Sequence, residues 1–215
     1  MMLMNVFDKH DPGIALFGAC LVAGAPMVFE PGAGVLEIGC CEAPWLYQAH
    51  QAWPQTFFTG IDTRAPDVID GDGMVRRMAA NVMDPDLFEP DSFDGIVSLS
   101  AIEHIGLGHY GDPPDPDGDS KAIANAWRWL KPGGWLYFDV PYDPTGYRVE
   151  GTECRVYDDA AVATRLMHQR DLIIPPAWVG VGRFYADANS PHLLLPSPVH
   201  HVKPFHYVAF FWIKA

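Results

Sequence analysis

Apolar residues along this chain follow two rhythms. Short runs rich in apolar residues mark buried strands: Val35–Ile38, Phe57–Ile61, Ile96–Leu99, Trp135–Val140 and Tyr207–Ile213. A further strand is expected near Arg76–Ala80, after the loop signal Asp70-Gly71-Asp72-Gly73, and another at 172–174 or 178–181. Spacings of three and four mark helices. Ile123, Ala126, Trp127 and Leu130 form one apolar stripe, so 121–130 reads as an amphipathic helix stopped by Lys131-Pro132-Gly133-Gly134. Residues 45–53, closed by Pro54, and 158–169 read as two more helices, and 1–30 as a helical lead-in broken at Pro26 and Pro31. Strands alternating with helices imply an α/β domain: a seven-stranded, mostly parallel sheet with helices on both faces and an antiparallel last strand.

The pattern is most informative between Val35 and Asp62. An apolar strand ends on Gly39, the chain returns through a helix, and a second apolar strand ends on Asp62, about twenty residues on. A nucleotide-binding βαβ unit needs this arrangement. Gly39 lets backbone approach a ligand, and a carboxylate after the second strand accepts ribose hydroxyls in hydrogen bonds of about 1.5–3 kcal/mol. Glu37 stands between Leu36 and Ile38, where a charge is costly unless paired, and a cationic ligand group would pair it.

Composition narrows the partners. The 215 residues suit one domain; 49% are hydrophobic and only 19% charged, so a sizeable core is available. A formal net charge of −13 repels phosphate backbones, so nucleic acid is not expected. The apolar run 14–25 is too short to span a membrane, and Asp8 and Asp11 occupy the place of a basic leader, so a buried helix and no membrane partner are expected. Cys20, Cys40, Cys41 and Cys154 show no zinc spacing and read as reduced residues of a cytoplasmic protein.

Five segments, in order, resemble the class I S-adenosylmethionine-dependent methyltransferases. They are Val35-Leu36-Glu37-Ile38-Gly39-Cys40, Gly60-Ile61-Asp62, Asn81-Val82-Met83-Asp84, the run Phe93–Ile105, and Leu130–Leu136. Ser98–Asp119 is also similar to an uncharacterised methyltransferase-like domain family, which implies fold and cofactor but no substrate. The resemblance implies a Rossmann-like fold with residues 33–141 as the cofactor-binding core and 142–215 as C-terminal strands and substrate-side loops. The chain departs from the family's Gly-x-Gly-x-Gly by placing Cys41 and Ala43 where the second and third glycines stand.

The resemblance implies S-adenosylmethionine as cofactor, with Glu37, Gly39, Cys40, Cys41, Asp62, Thr63, Val82, Asp84, Ser98 and Ser100 holding it. Glu37 would approach the ammonium, Asp62 the ribose and Asp84 the adenine amino group, although Asp also caps helices and forms turns before Pro85. His104, just after the fourth strand, is the candidate base and Glu103 its orienting partner; alternatively the pair only holds the loop. Asp112, Asp115, Asp117 and Asp119 invite a cation, but the calcium-loop pattern fails and no metal is expected. The histidines of 191–206 show no metal spacing. The expected function is methyl transfer to the oxygen or nitrogen of a small-molecule or sugar acceptor, with a catalytically silent binding or scaffold domain as the alternative.

Overall fold

A computed structural model describes residues 17, 27, 29–41, 44–167, 183–187, 190–195 and 206–214. Its strands are β1 Gly34–Ile38, β2 Phe57–Asp62, β3 Val68–Asp70, β4 Val75–Ala79, β5 Phe93–Ser98, β6 Leu130–Tyr142, β7 Arg148–Glu150, β8 Cys154–Val156, β9 Arg183–Asp187, β10 Ser190–Leu195 and β11 His206–Ile213. Two longer helices, α1 Pro44–Ala52 and α2 Gly118–Trp129, lie among them.

Nine strands form one sheet in the order β10-β9-β11-β6-β5-β1-β2-β4-β3, and β7 and β8 form a separate hairpin. The pairs β4–β2, β2–β1, β1–β5 and β5–β6 are parallel, and β11 runs antiparallel between β6 and β9. Seven strands thus make the expected mostly parallel sheet with an antiparallel last strand. Two antiparallel edge strands, β3 and β10, widen it. Strand β1 is buried on both faces, as its apolar run predicts.

The core divides between the two faces. On one, Leu36, Ile38, Ile96 and Phe138 pack beneath Ile123, Ala126 and Trp127 of α2. On the other, Val35, Phe58, Val97 and Tyr137 pack beneath Trp45, Leu46 and Ala49 of α1. Alternate strand residues serve opposite faces, so Glu37 projects toward the α1 side.

Two expectations change in detail. Lys131-Pro132-Gly133-Gly134 ends α2, but it lies inside β6 rather than before it, across an irregularity between Phe93 and Gly95 of β5. Gly133 adopts φ +78°, and Gly133 and Gly134 exchange backbone bonds with Lys214. The helix expected at 158–169 is Asp159–Ala161 followed by a wider turn, Val162–Leu166. Strand β9 lies between β10 and β11; both segments expected to hold the sixth strand, 172–174 and 178–181, lie outside the described residues, as do most of 1–30, Glu42, Ala43 and most of 191–205. No helix among the described residues is long and apolar enough to cross a membrane.

Candidate active site

Strands β1, β2 and β4 end side by side at the rim of the sheet, and a cleft opens over their ends. The backbone there is tightly tied. Gly39 N and Cys40 N donate to Ile61 O at 2.8 and 3.2 Å, and Ala80 N donates to Asp62 O at 3.1 Å. Gly39 has φ +90°, and a Cβ on it would stand 2.3 Å from the Ala101 Cβ. Only glycine fits this turn, and the backbone floor of the cleft stays bare there.

Asp62 forms one wall. Its Oδ1 accepts from Arg64 N at 2.8 Å and from Arg64 Nε at 3.2 Å. The Arg64 guanidinium in turn lies 4.0 Å from the centre of the Tyr110 ring, and Thr63 Oγ1 donates to Tyr110 O at 3.1 Å. Three successive residues at the tip of β2 thus hold the loop that follows β5. Beyond β4, Asn81 Oδ1 accepts from Met83 N at 3.0 Å, and Asn125 of α2 donates to Val82 O at 2.8 Å. These bonds fix the turn where Ala80, Asn81 and Val82 line the cleft.

His104 closes the opposite wall in a short helical turn, Ile102–His104. Its Nδ1 hydrogen-bonds the carbonyl of Glu153 in the β7–β8 hairpin, and its Nε2 lies 3.8 Å from Glu103 Oε1. A carbonyl only accepts, so Nδ1 carries the proton and Nε2 the lone pair. Burial holds the imidazole below the ordinary histidine range, against the opposing effect of the Glu153 bond.

Glu103 is 2% exposed, and its Oε2 has no hydrogen-bond partner among the described residues. Burial, reinforced by the charge of Asp139, pushes its carboxyl well above the usual range. Asp139 on β6 accepts from Ser100 N at 2.9 Å and Ser100 Oγ at 3.0 Å, which holds Ser100 at φ +46° on the cleft floor.

The acidic loop is spent on folding. Asp112 accepts from Gly106 N, and Asp115 pairs with Lys121. Asp119, fully buried, accepts from Tyr157 at 2.9 Å and Arg165 at 2.6 Å and lies 3.6 Å from Arg155. Arg155 reaches back to Ile105 O at 2.7 Å and Glu103 O at 3.3 Å, tying the His104 turn to β8. Among the described residues no cluster of three or more His, Cys, Asp or Glu is arranged to hold a metal ion.

Of the residues singled out in the sequence, Gly39, Asp62, Thr63, Val82, Ser100, His104 and Asp112 line this one cleft. Glu37 lies outside its lining, in the sheet on the α1 side, because strand alternation sends it away from Leu36 and Ile38. Cys40 is buried against Gly60, and Cys41, half-buried, presents its carbonyl to Arg77. Ser98 is buried within β5 and Glu103 behind His104, while Asp84 forms a turn with Asp86 N at 3.0 Å. Arg64 lines the cleft from outside every segment the sequence marks, while Asn81, Ala101 and Tyr110 lie within marked segments. Asp62-x-Arg64 is a local carboxylate turn that sequence can suggest, whereas Tyr110 carries no such signal.

Comparison with known proteins agrees with this architecture. The family described as "Caenorhabditis protein of unknown function, DUF268" matches residues 84–168. No curated protein matches. Among solved structures, the Burkholderia thailandensis 1,6-didemethyltoxoflavin-N1-methyltransferase, bound to 1,6-didemethyltoxoflavin and S-adenosylhomocysteine, superposes with TM-score 0.58 at 16% identity, over 94% of this chain and 79% of that one. The geranyl diphosphate C-methyltransferase of Streptomyces coelicolor A3(2), with Mg2+, geranyl diphosphate and S-adenosylhomocysteine, gives 0.60 at 15% identity over 94% and 76%. A geranyl diphosphate methyltransferase bound to GPP and sinefungin gives 0.64 at 16% over 94% and 76%. The chain has the fold of the class I S-adenosylmethionine-dependent methyltransferases.

Proposed function

We propose that this protein is a methyltransferase that uses S-adenosylmethionine and methylates an oxygen or nitrogen of a small-molecule or sugar acceptor. One observation carries this reading: a turn that admits only glycine, a carboxylate at the next strand end and a histidine whose Nδ1 is held by Glu153 O all line the same cleft. The cleft suits the cofactor. Gly39 leaves its backbone open, Asp62 stands where ribose hydroxyls would bond, and Asn81 and Val82 stand where the base would lie, with Asp84 one turn farther on. S-adenosylmethionine supplies a methyl group on a positively charged sulfur, already an excellent donor.

The protein's own work is alignment, exclusion of water and removal of one proton. Ile38, Ile61, Ile105 and Val82 make the cleft largely apolar. His104 accepts the acceptor's proton at Nε2 while Nδ1 stays bonded to Glu153 O. The small-molecule complexes among the structural neighbours support a small acceptor beside the cofactor. The acidic surface speaks against a nucleic-acid acceptor, and the free thiols of Cys40, Cys41 and Cys154 fit a cytoplasmic setting.

The test is transfer of radiolabelled methyl from S-adenosylmethionine across a panel of phenols, amines, sugars and carboxylates, with His104→Ala beside the wild type. Transfer to one class, lost in the variant, supports the reading. Cofactor binding without transfer to any class points to the silent binding domain.

A further inference from the structure

The loop Gly39–Cys41 lacks the second glycine of its motif, and it is supported from a neighbouring strand. Three residues lie in one row across β1, β2 and β4: Glu37 pairs with Gly60, and Gly60 with Arg77. Gly60 is bare for a reason. A Cβ there would stand 2.6 Å from Cys40 Sγ and 2.4 Å from a methyl of Leu46. The vacated space admits the Cys40 thiol, which feels both the Glu37 carboxylate and the Arg77 guanidinium. Burial, with Glu37 acting in the same sense and Arg77 opposing it, pushes that thiol up to about 12, so it stays neutral packing.

Arg77 reaches past Cys40 and donates from Nη2 to the carbonyl of Cys41. Its guanidinium also lies beside the Tyr47 hydroxyl, which donates to Asp70 Oδ2 at 2.6 Å. One cation on β4 therefore ties the loop after β1, the first helix and the edge strand together. A glycine-rich loop reaches an open shape through its own backbone freedom. Cys41 has a Cβ and less of that freedom, and a charge-assisted bond from outside fixes its carbonyl instead.

Resting on the functional reading above, we propose that Arg77 is the positioning residue of the Gly39–Cys41 loop and sets affinity for the amino-acid end of the cofactor but not for its nucleoside end. The ends are distinguished by ligand connectivity. Ribose at Asp62 and base toward Val82 leave the amino-acid portion over Gly39, where this loop begins, because base, ribose and amino acid follow one another in that order.

The experiment compares two ligands by calorimetry, S-adenosylhomocysteine and 5′-methylthioadenosine, which lacks the amino-acid group. Wild type, Arg77→Met and Arg77→Lys are titrated, and thermal unfolding is recorded for each. Arg77→Met is expected to weaken S-adenosylhomocysteine about ten- to a hundredfold. Its affinity for 5′-methylthioadenosine stays within about twofold, and Arg77→Lys recovers part of the loss. A general loss of structure would weaken both ligands together. Parallel weakening, or unchanged affinity for both in a folded variant, overturns the proposal. If Arg77→Met does not fold, Arg77→Lys decides alone: a selective loss supports it, and a parallel loss or none overturns it. A wild type that binds neither ligand defeats the methyltransferase reading itself, and this proposal with it.

Discussion

The Nδ1 of His104 donates to the backbone carbonyl of Glu153, forty-nine residues on in the β7–β8 hairpin. The hairpin thereby sets the tautomer of a residue at the rim of the cleft. It leaves Nε2 as the one ring nitrogen able to take a proton, and Arg155 in the same hairpin anchors the turn that carries the ring.

Burial keeps this imidazole below the usual histidine range, so its base form persists into mildly acidic solution. The acid limb of the rate–pH profile is expected below about pH 6.5. His104→Ala is expected to remove that limb and lower kcat about a hundred- to ten-thousandfold. Affinity for S-adenosylhomocysteine, read by calorimetry, stays nearly unchanged.

Glu103 gives a stability prediction of opposite sense. Its folded-state carboxyl titrates well above the ordinary value of 4.5, so the folded protein holds a proton that the unfolded chain releases first. The associated stability is complete below that value and is lost as pH rises toward the raised one, by up to about 1.4 kcal/mol per pH unit. Glu103→Gln removes this dependence. Its advantage in thermal unfolding over the wild type should be least near pH 4.5 and grow toward neutral pH. A constant difference across that range would contradict the assignment.

Gly39→Ala meets two obstacles, φ +90° and a contact of 2.3 Å with Ala101. The backbone obstacle alone costs about 1–3 kcal/mol. Ala101→Gly added to it relieves the contact but not the backbone. Denaturant unfolding should therefore show partial rescue, whereas full rescue would mean that Gly39 is only a matter of space.

Asp119→Ala leaves Arg155, 1% exposed, without its carboxylate. A loss of about 3–5 kcal/mol is expected. The loop bearing His104 should lose hydrogen-exchange protection before the sheet does, because Arg155 also holds Glu103 O and Ile105 O.

How much of this was legible depends on how far apart the interacting residues lie. Gly39 and Asp62 stand at their own strand ends, so the local pattern is enough to bring both to the cleft. Glu37 was recognised as unusual, but its facing depends on strand alternation and on the bare Gly60 beside it. The acidic loop read as a possible cation site because its partners, Arg155 and Arg165, lie far along the chain. Lys131-Pro132-Gly133-Gly134 carries every mark of a break between elements, yet pairing with Lys214 keeps it in the sheet. Arg64, Tyr110 and Arg77 have no motif of their own; only the folded rim brings them to the cleft and its loop.

The most direct measurement is calorimetric titration of the wild type and Asp62→Ala with S-adenosylhomocysteine. Saturable micromolar binding by the wild type is expected, weakened about ten- to a hundredfold in the variant through loss of the ribose bonds. A folded wild type that takes up no S-adenosylhomocysteine would contradict the account.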